Sequence, residues 1–388
     1  MKSTGFIFTL ILLGATLLAT PSRAQIGKSV AVTAGTPEDK ALAEIYAAPD
    51  GPEKVALLDK FMADFGKGDL ELLGDQLYAS TYLAQKNEAK AIEYADKVLA
   101  IDPDNLPAAA TIVHAADELG DTSKLFDAGE HAAAIVVRFK KQPMPAGMSQ
   151  NSWDDQKNGI LHGAQADLDY VQNALFNAAY KTTDPKAKAA YFERFAATFP
   201  DSPYALNARE QVVFADEQAQ NVPKMMEAAQ AVLATDPNNV DILLLLADFW
   251  SEKGQQLDKA ALNSQKALDA IAKAKKPDQT PDDQWQQQIS VQQGLAYSTL
   301  GQVDVIKGQN AEAVAAFKKA GPLLKSSTVS YARNEYRLGF TLAKMQKIPE
   351  AKAALTEAAS IDSPYRTLAQ QTLAKIGGGT THTAKKSP

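Results

Sequence analysis

Small residues recur at a fixed spacing along this chain, and that spacing limits the folds that it can adopt. Three pairs of small residues are each separated by twelve positions: Ala79 and Ala91, Gly301 and Ala313, Gly339 and Ala351. In the later two copies a large residue, Phe317 or Leu355, follows four positions after the pair. Small residues let the two helices of a hairpin approach closely, and the large residue fills the gap between neighbouring hairpins. The spacing therefore predicts stacked helical hairpins.

The hairpins repeat with a period of 37 or 38 residues. Predicted ends of second helices are 37 residues apart within two groups, which are Gly66, Pro103 and Lys140, then Pro200 and Pro237. The step from Ala313 to Ala351 is 38 residues. Excess residues between these groups predict two insertions. About eight hairpins and a closing helix account for the remaining chain.

This pattern resembles the tetratricopeptide repeat, whose small–large–small spacing and closing proline these residues match. A second likeness lies in the segment 199–205, Phe-Pro-Asp-Ser-Pro-Tyr-Ala, which is similar to a hairpin junction of tetratricopeptide proteins in the bacterial envelope. Within it, Ser202 is suited to cap the next helix and Pro203 to begin it. The resemblance implies an all-α solenoid, a superhelix of stacked antiparallel hairpins whose first helices line a concave side.

The first 24 residues predict a signal peptide. Lys2 supplies a positive start, and the apolar stretch 6–19 is too short to span a membrane comfortably. Ser22 and Ala24 occupy the positions that a signal peptidase reads, so we expect cleavage after Ala24 and a periplasmic or secreted protein. An uncleaved amino-terminal anchor is the alternative. No later apolar run is long enough to cross a bilayer.

Composition and breaks divide the chain into further predicted parts. They are a flexible lead-in (25–36), amino-terminal hairpins (37–140), an insertion (141–158), degenerate central hairpins (159–274), a second insertion (275–281), carboxy-terminal hairpins (282–362), a capping helix (363–376) and a disordered tail (377–388). A tryptophan accompanies each insertion, Trp153 within the first and Trp285 after the second, and we expect each to pack on a neighbouring hairpin. We expect the segments 141–151 and 275–279 to exchange their amide hydrogens fastest.

The sequence offers no catalytic or metal-binding pattern. It contains no cysteine, and none of the four histidines has a second ligand at metal-binding spacing. Nucleophile, phosphate-loop and dinucleotide motifs are lacking as well. The 40 basic and 46 acidic residues give a net charge of −6, which disfavours binding to nucleic acid. We therefore predict a non-catalytic chain without a cofactor.

The resemblance implies a groove that binds a protein or peptide partner in the envelope. The residues that it assigns to the inner face are Arg333, Tyr336, Phe340, Lys344, Gln302, Phe249, Phe214 and His114. Aromatic anchors beside cations suit a peptide that carries acidic groups. Three alternatives remain: the aromatic residues only fill the core between hairpins, the groove binds or processes a glycan or peptide, or the array is a spacer without a ligand.

Overall fold

The computed structural model describes residues 26–377, and all regular secondary structure in this range is helical. The predicted signal peptide and the residues 378–388 lie outside the described range. The α-helices are α1 (Pro37–Ala47), α2 (Pro52–Phe65), α3 (Asp69–Ala84), α4 (Glu88–Ile101), α5 (Leu106–Leu119), α6 (Thr122–Lys140), α7 (Gln150–Gly163), α8 (Gln165–Lys181), α9 (Pro185–Thr198), α10 (Ala205–Gln218), α11 (Val222–Thr235), α12 (Val240–Lys253), α13 (Leu257–Lys273), α14 (Asp282–Ile306), α15 (Asn310–Leu324), α16 (Thr328–Lys344), α17 (Ile348–Ser360) and α18 (Arg366–Gly377).

The helices pack as successive hairpins, which gives the all-α, tetratricopeptide-like solenoid that the sequence predicts. The chain divides into two compact units, one up to Ala208 and one from Arg209. In the first unit α3 packs on α4, α5 on α6 and α8 on α9. In the second unit α12 packs on α13, α14 on α15 and α16 on α17, and α18 closes the stack on α17.

Glycine lets the helices of two carboxy-terminal hairpins approach closely, as the spacing predicts. A Cβ atom on Gly301 would lie 2.7 Å from Cε1 of Phe317, and one on Gly339 would lie 2.6 Å from Cγ of Leu355. Phe317 and Leu355 are both fully buried. The small residue of each pair therefore leaves the space that the large residue of the second helix fills.

Asparagine caps the helices that follow two Asp-Pro turns. The Oδ1 atom of Asn105 accepts a hydrogen bond from the amide of Ala108 at 3.1 Å. Asn239 caps α12 in the same way, through the amide of Ile242 at 3.2 Å. Each asparagine thus satisfies an amide at the start of a first helix, which explains these turns without a bound cation.

The junction at 199–205 forms a turn before the next helix, and this corrects one detail of the prediction. Ser202 accepts a hydrogen bond from the amide of Tyr204 at 3.2 Å, and α10 begins at Ala205 rather than at Pro203. The aromatic ring of Tyr204 packs against Phe176, with 5.1 Å between ring centroids. The related segment at 363–365 forms a similar turn, so the closing helix begins at Arg366 rather than at residue 363.

The first insertion contains a helix of its own. The segment 142–149 is not helical, and α7 then runs from Gln150 across the predicted boundary at residue 158. Ser149 caps α7, since its hydroxyl oxygen accepts a hydrogen bond from the amide of Ser152 at 3.2 Å. Trp153 is buried, with Nζ of Lys157 lying 5.1 Å from the centroid of its ring.

The second insertion connects α13 to α14, which is the longest helix at 25 residues. No side chain caps the start of α14, because Pro281 occupies the cap position. Trp285 is half-buried. Among the residues described, no helix is long and apolar enough to cross a bilayer.

Candidate functional site

The candidate site lies in the second unit, where the first helices of successive hairpins face one another. Helices α12, α14 and α16 are these first helices, and α14 packs against both of the others. Two cavities open along them. We call them the aromatic cavity and the acidic cavity, after the side chains that line each.

A network of ion pairs connects α12 to α16 between the two cavities. Nη1 of Arg333 lies 2.8 Å from Oδ2 of Asp248 and 3.7 Å from the nearer carboxylate oxygen of Glu252. Arg337 forms a second ion pair with Glu252 and donates to Oγ of Ser298 on α14 at 3.4 Å. Both guanidinium groups are buried, whereas Asp248 and Glu252 keep part of their surface in water.

This network changes the role that the sequence suggests for Arg333. Burial lowers the pKa of Arg333, but the charge of Asp248 and its hydrogen bond, together with smaller contributions from Tyr365 and Glu252, outweigh burial and raise this pKa above its usual value. The guanidinium group is therefore held by carboxylates of the chain itself. Arg333 is thus already paired within the chain, and an acidic group of a peptide would have to compete with these carboxylates for it.

The aromatic cavity has a volume of about 290 Å³. Three predicted site residues line it, namely Gln302 on α14 with Tyr336 and Phe340 on α16. Tyr365 and Leu368, which the sequence did not indicate, complete the wall from the side of α18. Phe340 is 38% exposed and its ring centroid lies 6.1 Å from that of Tyr336. Two adjacent rings at the edge of a cavity can anchor an apolar side chain.

The acidic cavity has a volume of about 240 Å³ and includes the predicted site residue Phe214. Its polar lining comes largely from Glu217, Asp241 and Asp248, with Arg333 at one wall. Burial raises the pKa of Glu217, and the nearby charge of Asp248 adds to this effect. Acidic side chains outnumber basic ones here, so this cavity favours a neutral or basic ligand group.

The remaining predicted site residues have other surroundings. Lys344 places its Nζ atom 5.0 Å from the ring centroid of Phe340, at the edge of the aromatic cavity. Phe249 is half-buried against the apolar cluster formed by α10, α11 and α12 and lines neither cavity. His114 belongs to the first unit and stacks on Tyr170 with 3.5 Å between ring centroids. Burial lowers the pKa of His114.

The sequence contained a signal for the residues that were missed. Asp248 and Glu252 are four positions apart on α12, and Arg333 and Arg337 are four positions apart on α16. Residues at this spacing share a helix face, so each pair presents two like charges in one direction. The acidic pair on α12 and the basic pair on α16 have opposite charge and lie on first helices of the same unit, so the sequence could have predicted that they form ion pairs. Helix α14 lies between α12 and α16 and carries two small, buried side chains there, Ser298 and Thr299.

The ion-pair network predicts a loss of stability when a carboxylate is neutralised. Asp248→Asn would leave Arg333 facing an uncharged amide, and the free energy of unfolding of the second unit should fall by about 2 kcal/mol. This value is below the range for fully buried pairs because Asp248 is partly exposed. Chemical denaturation measures the change. Asp241→Asn, on the same helix, is the matched control and should cost less than about 0.5 kcal/mol. Equal losses of unfolding free energy in the two variants would contradict a stabilising ion pair between Asp248 and Arg333.

No group of three or more histidine, aspartate and glutamate side chains within residues 26–377 is arranged to hold a metal ion. The groups that line the candidate site are apolar rings, paired charges and exposed carboxylates. These groups can recognise a ligand by shape and by apolar burial.

A tetratricopeptide-repeat family profile matches residues 76–105, which include the carboxy-terminal half of α3, all of α4 and the turn before α5. The matched residues contain Ala79 and Ala91, the first pair of the twelve-residue spacing. This match identifies a tetratricopeptide repeat at residues 76–105, and the neighbouring hairpins share its all-α fold. No curated protein sequence is significantly similar to it.

Several solved structures are distantly similar in fold. A crystal structure of the APC/C hetero-tetramer Cut9-Hcn1 aligns with 87% of this chain and 62% of its own, at 15% identity and a TM-score of 0.43. The chain thus spans less than two thirds of that protein. The carboxy-terminal part of a repeat protein from Cytophaga hutchinsonii aligns over 77% of this chain and 99% of its own, at 14% identity and a TM-score of 0.40. Yeast Tom70 aligns over 88% of this chain and 95% of its own, at 10% identity and a TM-score of 0.35.

Proposed function

We propose that this tetratricopeptide-repeat protein is a non-catalytic interaction scaffold of the bacterial cell envelope, and that it binds a segment of a partner protein along α12, α14 and α16. The aromatic cavity is the observation that carries the proposal. Its aromatic rim is partly exposed, while the guanidinium groups of Arg333 and Arg337 beside it are paired within the chain. Such a surface can bind apolar groups of a ligand favourably, because their burial does not also remove unpaired charges from water.

The two cavities define the chemistry of the segment that we expect. An aromatic or aliphatic side chain would enter the aromatic cavity beside Tyr336 and Phe340. A neutral or basic group would lie near Glu217 and Asp241 in the acidic cavity. This differs from the acidic peptide that the sequence suggested, because Arg333 is already neutralised by Asp248.

Substitution of one exposed ring tests the proposal. Phe340→Asp should weaken binding of the partner about thirtyfold, since it removes an apolar anchor and places a carboxylate at the cavity. The matched control is Leu262→Asp, because Leu262 is also exposed but lies on α13, a second helix, and lines neither cavity. Affinity purification from the native envelope, followed by quantitative mass spectrometry, compares both variants with the wild-type protein.

The expected result is a set of proteins that the wild-type protein and Leu262→Asp retain and that Phe340→Asp loses. Equal recovery by all three proteins would contradict binding at the aromatic cavity. Melting curves of both variants should match that of the wild-type protein, because both side chains are exposed.

The envelope location is part of the proposal and rests on the first 24 residues. We propose that this segment directs export, that it is removed after Ala24, and that the protein is periplasmic or secreted. Amino-terminal sequencing of the protein from a periplasmic or extracellular fraction should begin at Gln25. A protein that starts at Met1 in the membrane fraction would instead support an uncleaved anchor.

A further inference from the structure

The segment before the first helix is held on the first unit rather than free, in contrast to the flexible lead-in that the sequence predicts. Ile26 is 3% exposed, although it lies eleven residues before α1 begins at Pro37. The segment runs next to α3 and α5, the first helices of two hairpins. We refer to Ile26–Lys28 as the amino-terminal clip and to residues 29–32 as the docked segment.

The amino-terminal clip is attached through its backbone to the turn between α4 and α5. The carbonyl oxygen of Ile26 accepts a hydrogen bond from the amide of Leu106, the first residue of α5, at 3.2 Å. The amide of Lys28 donates to Oδ2 of Asp102 at 2.6 Å. Asn105 donates to the same oxygen at 3.0 Å and so orients the carboxylate. The clip therefore satisfies an amide that the start of a helix leaves open.

Glycine is required at the centre of the clip. Gly27 has a φ angle of +122°, a conformation that other residues rarely adopt. A Cβ atom there would lie 2.9 Å from Cα of Asn105 and 2.9 Å from Oδ2 of Asp102. Because one of these contacts is with backbone, a side chain could be accommodated only by moving the clip away from the turn.

The docked segment covers a cavity without filling it. The cavity has a volume of about 560 Å³, and α3 contributes Leu73, Gln76 and Leu77 to its lining. Val30 and Val32 are half-buried, whereas the residues between and beside them are exposed. This alternation is that of an extended chain with every second side chain turned toward the helices. The fifteen residues that line the cavity are all uncharged.

We propose that this face of α3 and α5 is a second peptide-binding site, which the chain's own amino-terminal segment occupies. Its ligand is an extended, uncharged stretch of a partner protein with aliphatic side chains at alternate positions, the chemistry of residues 29–32. The partner gains access when the clip opens. The site belongs to the first unit and does not depend on the aromatic cavity of the second.

A labelled peptide tests the site directly. The probe is a synthetic peptide of residues 26–36 with a fluorophore at its carboxyl end, and binding is followed by fluorescence anisotropy. Gly27→Ala in the processed full-length protein should open the clip and bind the peptide about tenfold more tightly than the wild-type protein does. The reason is that a tethered competitor acts at a millimolar effective concentration, and the substitution releases it.

Gly35→Ala is the matched control in the protein. Gly35 lies in the same segment and also has a positive φ angle, but nothing lies within 4 Å of the position of its Cβ atom. This variant should bind the peptide as weakly as the wild-type protein. A peptide carrying the Gly27→Ala change should bind the Gly27→Ala protein more weakly than the unchanged peptide does, because it keeps residues 29–32 but cannot form the clip.

Hydrogen exchange at Leu106 reports on the clip independently of affinity. Its amide should be protected in the wild-type protein, exchange rapidly in Gly27→Ala, and become protected again when the peptide is added. Interior amides of α4 and α5 should stay protected throughout, which shows that the variant is folded. Absence of saturable binding to Gly27→Ala, or equal affinity for the variant and the wild-type protein, would overturn the proposal. Protection of Leu106 that depends on protein concentration would overturn the assignment of the segment to its own chain.

Discussion

Replacing Phe317 by alanine is expected to lower the free energy of unfolding of the carboxy-terminal hairpins by about 4 kcal/mol. Phe317 is fully buried and packs against Gly301 in a cluster that includes Val314 and Leu342. Truncation would remove the buried ring and leave a cavity between α14 and α15. Solenoids can unfold piece by piece, so hydrogen exchange of amides in α15 measures the change better than a single melting temperature.

A second substitution separates packing from other causes of this loss. Gly301→Ala should destabilise the wild-type protein, because its Cβ atom would be too close to the ring of Phe317. In the Phe317→Ala background the same change should be stabilising by about 1 kcal/mol, the gain in helix propensity. Phe340→Ala, which removes a ring that is 38% exposed, should cost about 1 kcal/mol or less. An unchanged effect of Gly301→Ala in the two backgrounds would contradict the small–large pairing.

Replacing Asp75 by asparagine should stabilise the first unit at neutral pH by about 3 kcal/mol. Asp75 is 5% exposed on α3, and burial raises its pKa from 3.8 to about 6, while Lys97 offsets part of this effect. The shift of about two units corresponds to the stated energy, since each pKa unit is worth about 1.4 kcal/mol. Because the folded state binds the proton more tightly, Asp75 makes the protein less stable as pH rises from about 4 to 6.

The comparison with asparagine isolates this one group. Asparagine resembles the protonated acid, so the gain should be full at pH 7, small near pH 4 and absent below about pH 3, where Asp75 is protonated in both states. Denaturation of both proteins at each pH measures the difference. Asp64→Asn, an exposed position on α2, is the control and should show little difference at either pH. A gain that is the same at pH 4 and pH 7 would contradict the raised pKa.

The repeat could be predicted from the sequence because it depends on residues that lie close together along the chain. Gly301 and Gly339 indicated where two helices meet, and in the structure Phe317 and Leu355 fill the space beside them, within a hairpin, whereas the sequence predicts them between hairpins. The asparagine caps could also be predicted, since a cap acts on an amide only three residues away. Features of this kind depend on neighbours in the sequence or on one helix turn.

The site and the amino-terminal segment could not be predicted in the same way. The pairing of Arg333 with Asp248 joins residues 85 positions apart, and only the curvature and packing of the helices between them bring the charges together. Docking of Ile26 on Leu106 likewise depends on a contact between distant parts of the chain. The lead-in looked flexible because its composition is rich in small residues, but backbone hydrogen bonds hold it.

Site-specific photo-crosslinking in the living cell tests the central claim most directly. A photoreactive phenylalanine analogue at position 340 should crosslink a partner protein, because this side chain is exposed at the aromatic cavity. The same analogue at position 262, on a second helix, should give no such product. Crosslinks from position 262 but none from position 340 would show that the partner binds elsewhere, and the assignment of the aromatic cavity as the binding site would be wrong.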